Sequence, residues 1–214
     1  MKAIVVSDLH LGSTHFLSRE FENLLRSLPK GFDLVLNGDV LDDCKNSLNP
    51  SHQQVLELVR LESYHRRVIW VRGNHDESCP MSKLGEISFK SEHAYDTQLL
   101  IIHGHKIDNV RKIVRGFLRI RDFIASIGRN RINLEICVTK IRPLYKWYRS
   151  YLMRRAMSYA RKKGFRTIAC GHTHYPEDKI TDGIRYINTG AWTKWPPFYL
   201  LVNNGEMSLR VLRR

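Results

Sequence analysis

Short, unbroken apolar runs alternate with amphipathic stretches along much of this chain. Ala3-Ile4-Val5-Val6, Leu34-Val35-Leu36, Val68-Ile69-Trp70-Val71 and Leu99-Leu100-Ile101-Ile102 each end in polar residues. Thr167-Ile168-Ala169-Cys170 and Tyr199-Leu200-Leu201-Val202 repeat the form nearer the end. Runs of this length predict strands covered on both faces. Between the first three runs lie two helical stripes. One is Phe21, Leu24, Leu25 and Leu28; the other is Val55, Leu56 and Val59, continuing to about His65. Pro50 and the spacing Ser51-x-x-Gln54 read as a capping box opening the second. Strand, helix, strand predicts an α/β sheet whose polar strand ends gather along one edge, where such proteins hold ligands.

Charge divides the chain in two. Residues 106–163 hold 17 basic residues against Asp108, Asp122 and Glu135, and the remainder holds 18 of each sign. The whole net charge of +14 therefore belongs to one block. That block is amphipathic as well. Val110, Ile113, Val114, Phe117, Ile120, Ile124 and Ile127 follow helical spacing, as do Ile141, Leu144, Tyr145, Tyr148, Leu152, Ala156 and Tyr159, with Pro143 in a first turn. At 214 residues the chain is read as one domain, 1–214, interrupted by a basic helical hairpin at about 106–163. The first apolar run is too short to span a bilayer. Cys44, Cys79, Cys137 and Cys170 are scattered with no C-x-x-C pair, which predicts reduced thiols and a cytoplasmic setting.

Chemistry concentrates at the strand ends. Asp8-x-His10, Gly38-Asp39, Gly73-Asn74-His75-Asp76, His103-Gly104-His105 and Gly171-His172-Thr173-His174 follow successive apolar runs. Oxygen and imidazole donors without thiolate suit Mn²⁺, Fe²⁺, Co²⁺, Ni²⁺ or Zn²⁺. Residues two apart on a strand share a face, which would let Asp8 and His10, or His172 and His174, reach one ion together. Asp39, on a turn permitted by Gly38, would bridge two ions.

These five blocks, in this order, resemble the calcineurin-like metallophosphoesterase superfamily. The resemblance implies a four-layer αββα sandwich with the basic hairpin inserted, and hydrolysis of a phosphate ester or pyrophosphate. It implies two divalent ions, manganese foremost. Asp8, His10, Asp39 and His174 would hold one; Asp39, Asn74, His103 and His172 would hold the other. His75 would meet the phosphate or protonate the leaving oxygen, with Asp76 holding its ring. His105 would support the ligands from behind, face the substrate or be structural. A scaffold with a relict site is set aside because no ligand of the pattern is missing.

The basic block leaves three readings open. It packs on the sheet with its charges solvated, or it meets an anionic membrane surface, or it binds nucleic acid phosphates. H-G-H-K-I-D before a long basic insert, then G-H-T-H-Y-P and N-T-G-A-W, is similar to the UDP-2,3-diacylglucosamine pyrophosphatase group of lipid A hydrolases. That likeness implies a helical lid over the site and an acylated, phosphate-bearing substrate at the inner membrane face. Arg111, Arg115 and Arg119 are the candidate contacts to phosphate or headgroup. The chain departs from the group at His75 and His105, where its characterised enzymes usually carry Arg and Asp. A phosphodiesterase or nuclease acting on nucleotides or nucleic acid is the alternative.

Overall fold

The computed structural model describes residues 1–44, 47–79, 84–110 and 142–213. In order, the elements are β1 (Lys2–Val6), α1 (Ser18–Ser27), β2 (Asp33–Asn37), α2 (Pro50–Glu62), β3 (Val68–Val71), β4 (Ser88–Lys90), β5 (His93–Tyr95) and β6 (Leu99–Ile101). Beyond residue 141 come α3 (Arg142–Lys162), β7 (Thr167–Cys170), β8 (Glu177–Thr181), β9 (Ile184–Asn188), β10 (Phe198–Asn203) and β11 (Glu206–Val211). They form two sheets, ordered β11-β10-β1-β2-β3-β4 and β5-β6-β7-β9-β8. The strands β1 through β4 run parallel, and so do β6, β7 and β9.

Side-chain alternation turns these sheets into layers. Ala3, Val5, Val35, Ile69 and Val71 of the first sheet meet Leu99, Ile101, Ala169 and Ile187 of the second in a buried core between them. The intervening residues Ile4, Val6, Leu34, Leu36, Val68 and Trp70 face outward, onto Phe21, Leu24 and Leu25 of α1 and Val55 and Val59 of α2. On the other outer face, Leu100, Ile102, Ile168, Cys170 and Tyr186 pack against Leu152, Ala156, Met157 and Ala160 of α3. Helices, sheet, sheet, helix is the expected four-layer arrangement. Each fully buried Leu, Ile or Phe contributes about 1.5–3 kcal/mol, so every layer contact matters to stability.

Some local expectations change. The cap of α2 is Asn49, whose side chain accepts from His52 N, with Pro50 at the first helical position; Ser51 instead donates its hydroxyl to Asn49. Two β-hairpins, β8–β9 and β10–β11, absent from the reading of apolar runs, close over Asp182-Gly183 and Asn204-Gly205. The first expected helix of the basic hairpin lies outside the described residues. The second is α3, whose later turns form the outer layer of the second sheet, while its first turns reach the strand ends.

Candidate metal centre

The strands β1, β2 and β3 of one sheet and β6 and β7 of the other deliver their following residues to one edge. Asp8 N donates to Gly38 O at 3.0 Å, and His172 N donates to both carboxylate oxygens of Asp8 at 3.1 Å. The first bond joins the loops after β1 and β2, and the second pair ties the two sheets together. Asp8, His10, Asp39, His172 and His174 all take left-handed backbone angles, with φ between 50° and 69°. Non-glycine residues seldom adopt this region, and clusters of them mark functional sites. This corrects the reason for the D-x-H and H-x-H spacing. These ligands lie past the ends of β1 and β7, so kinked backbone, not strand alternation, turns both members of each pair inward.

The donors assemble into two clusters that share Asp39. Asp8, His10, Asp39 and His174 offer atoms within 4.8 Å of one another, and so do Asp39, His103 and His172. Asn74 lies beside them, on the loop whose next residue, His75, donates its N–H to Asp39 Oδ1 at 2.9 Å. Glycine permits the close approach. A methyl group on Gly38 would lie 2.4 Å from the His103 ring, and one on Gly171 would lie 2.3 Å from Asp8 Oδ2.

Three of the imidazoles are oriented from behind. His103 Nδ1 donates to Asn37 O at 2.9 Å, His10 Nδ1 to Asp42 Oδ1 at 2.8 Å, and His172 Nε2 to Asp108 Oδ2 at 2.9 Å. Each contact leaves the other ring nitrogen for the cluster, the usual way a protein sets a histidine's tautomer for a metal. Asp108 is itself held by the Tyr148 hydroxyl of α3, at 2.6 Å. Sequence reasoning missed Asp42 and Asp108 as supports of the site. The signals were the aspartates that follow Gly38-Asp39 and His103-Gly104-His105 by a few residues.

The expected roles around His75 divide differently. Asp76 does not hold the His75 ring. Its carboxylate turns back and accepts from Gly73 N at 2.6 Å, Val40 N at 2.8 Å and Trp70 Nε1 at 3.1 Å. Neighbours on a tight turn point apart, so adjacency in G-N-H-D does not bring the two side chains together. His75 Nδ1 donates instead to Asp42 O, at 2.7 Å, and its ring meets that of His10 edge-on at 5.0 Å. His105 lies beside His103, with ring centroids 5.5 Å apart, and its Nε2 is 3.6 Å from Glu77 Oε2. Arg111, Arg115 and Arg119 lie outside the described residues.

The residues present fit a pair of divalent ions. Asn74 Oδ1 is buried with no hydrogen-bond partner among the described residues. His103 Nε2 faces Asp39 Oδ2 at 3.1 Å, and His10 Nε2 faces His174 Nε2 at 3.2 Å. Ligand atoms this close to one another call for a proton or a cation between them. The electrostatics agree. Burial opposes ionisation of Asp8 and Asp39, but His103 and other neighbouring imidazoles outweigh it and hold both carboxyls below their usual range. Burial lowers His10 and His172, keeping these rings neutral and able to donate a lone pair.

The cysteines are not all reduced thiols. Cys44 and Cys79 are paired as a disulfide, and Cys170 is a buried free thiol. The loops after β2 and β3 fold against each other, which brings together two thiols that sequence spacing keeps apart.

The chain belongs to the calcineurin-like phosphoesterase family, whose sequence profile matches residues 1–176. Family membership and the gathered donors together make it a metal-dependent phosphoester hydrolase, of a family whose centre is dinuclear. Comparison with curated proteins gives no match. Among solved structures, an archaeal phosphodiesterase shares the fold with a TM-score of 0.54 at 15% identity, over 99% of this chain and 100% of that one. YfcE, a phosphoesterase from E. coli, gives 0.51 at 16% identity over 100% of both chains. A single-site mutant of Vps29 from Entamoeba histolytica gives 0.51 at 16% identity, over 99% of this chain and 98% of that one.

Proposed function

We propose that the protein hydrolyses a pyrophosphate or phosphodiester bond of a lipid-linked nucleotide, of the UDP-2,3-diacylglucosamine kind, at the inner face of an anionic membrane. The hydrolytic part rests on one observation, two donor clusters built around the shared carboxylate of Asp39. Asp8, His10, Asp39 and His174 would hold one ion, and Asp39, Asn74, His103 and His172 the other, with manganese the first metal to try. Bound there, two divalent ions supply an activated water and offset the charge of an in-line displacement at phosphorus.

The chain's own groups do the rest. Asp42, Asn37 and Asp108 keep three ligand rings turned inward. The carbonyl of Asp42 fixes His75 Nδ1, leaving Nε2 to carry a proton to the departing oxygen. Such a donor contributes a factor of about 10²–10⁴.

The lipid part rests on α3. It carries seven basic residues and no acidic one, and its Trp147, 51% exposed, stacks on Tyr151. Cationic side chains beside exposed aromatic rings suit anionic headgroups. No helix among the described residues is long and apolar enough to cross a membrane, and the proposed contact is peripheral.

The test restores metal to chelated protein and measures turnover of UDP-2,3-diacylglucosamine beside a panel of nucleotide diesters. Flotation with anionic vesicles is compared with single-stranded nucleic acid binding at equal salt. The expected result is preferred turnover of the lipid-linked substrate and vesicle binding. Turnover of nucleotide diesters alone, with nucleic acid bound and vesicles not, would replace the lipid reading with that of a nucleotide phosphodiesterase.

A further inference from the structure

We infer that Cys44 and Cys79 form a reversible oxidation site whose disulfide seats His75 for proton transfer. The inference rests on the reading of His75 as the proton donor. The two residues have Cα atoms 5.4 Å apart across a sequence separation of 35. A disulfide spans that distance without backbone movement. Its importance lies in what it joins. Cys44 follows Asp39 on the loop after β2, and Cys79 follows Asn74 and His75 on the loop after β3. One covalent bond thus ties together two loops that each carry a candidate ligand.

The bond lies against His75. The sulfur of Cys44 is 3.4 Å from the His75 carbonyl oxygen, and that of Cys79 is 3.9 Å away. The His75 ring depends on a contact between the same two loops, Nδ1 to Asp42 O at 2.7 Å. Deeper in the site, Val40 N to Asp76 Oδ2 at 2.8 Å and His75 N to Asp39 Oδ1 at 2.9 Å join the loops without sulfur. Reduction therefore loosens the outer turn that seats the imidazole, and the ligand ends stay in place.

The exchange chemistry is complete with a small disulfide such as oxidised glutathione as oxidant. Cys79 is 4% exposed and Cys44 is half-buried, so Cys44 is the entry point. Its thiolate attacks the small disulfide, forms a mixed disulfide and expels one thiolate. The Cys79 thiolate then attacks the Cys44 sulfur and expels the second. The two protons lost by the protein end on the two small thiols released. A dithiol reductant reverses both steps.

The test uses the full chain equilibrated in reduced or oxidised glutathione. Intact mass after alkylation reports the disulfide, and imidazole NMR signals of metal-free protein, assigned with His75→Gln, report the ring. Turnover is measured with two diesters, one with a nitrophenolate leaving group and one with an alkoxide. Oxidation is expected to block alkylation of both cysteines and to shift the His75 signals. It should also raise alkoxide-leaving turnover several-fold, with metal content and nitrophenolate-leaving turnover unchanged. Cys44→Ser and Cys79→Ser should each abolish the redox response, and His75→Gln should abolish the turnover difference while the disulfide still forms. The inference is overturned if both thiols stay alkylatable in oxidised glutathione. It also fails if the disulfide forms with unchanged His75 signals and unchanged leaving-group dependence. Redox-dependent His75 signals with no turnover in either state would refute the hydrolase reading and leave the clamp standing.

Discussion

The two donor clusters meet at Asp39, yet they occupy different surroundings. In one, the His103 side chain has no exposed surface, and Asp108, equally buried, backs His172. In the other, the His174 side chain keeps 43% of its surface and the carboxylate of Asp42, behind His10, keeps 44%. A buried, rigidly backed cluster would hold an ion tightly, and the cluster that includes the exposed His174 would exchange one more readily. The asymmetry also reaches α3, because Tyr148 braces Asp108.

Removing what the clusters share should have the largest effect. Asp39→Asn takes a charged donor from both, and turnover of a generic phosphodiester should fall by about 10³-fold or more, since metal stabilisation supplies several kcal/mol. Elemental analysis should show ions lost from both clusters; retention of both with normal turnover would dissolve the comparison. Next in size is Asp108→Asn. Disturbing a group that orients a ligand costs about 10–100-fold in metal affinity. The loss should fall on the tightly held ion, as read by competition with a chromophoric chelator. Asp42→Asn should cost less than about tenfold, in the weaker ion, because its half-exposed carboxylate is screened by solvent. Equal losses in the two variants would mean that burial does not separate the clusters.

The smallest effect is one of pH on the metal-free protein. Burial disfavours a charged His103, but Asp39 and Asp8 outweigh it and raise the ring to about 9 from an ordinary 6.5. The folded state therefore binds more protons between those values. This contribution to stability is fully present below the unfolded value and is lost as pH rises through the folded one. The denaturant-midpoint advantage of wild type over His103→Gln should shrink between about pH 6 and pH 9.5. A gap that widens across that range would show that the two carboxylates do not govern the ring.

Much of this was legible in the chain, for a physical reason. Unbroken apolar runs mark strands covered on both faces, and parallel strands carry the residues after them to one edge, so five separated motifs became one site. What escaped was shorter or lacked a motif. The strand Ser88–Lys90 has three residues and one large apolar side chain, too little for periodicity to register. The hairpins were signalled by Asp182-Gly183 and Asn204-Gly205, dipeptides suited to the positive φ of tight turns, although β8 (Glu177–Thr181) is mostly exposed and polar. Asp108 and Asp42 act on ligands distant in sequence, which spacing does not reveal. Asp76 was misassigned because a turn sends its carboxylate back to Gly73 N.

The account is tested most directly by titrating manganese into chelated protein and counting the ions that remain after desalting and on calorimetric fitting. It predicts two per chain of unequal affinity, the tighter alone surviving in His174→Ala and neither in Asp39→Asn. Full turnover with one ion or none, or two ions still bound in Asp39→Asn, would contradict it.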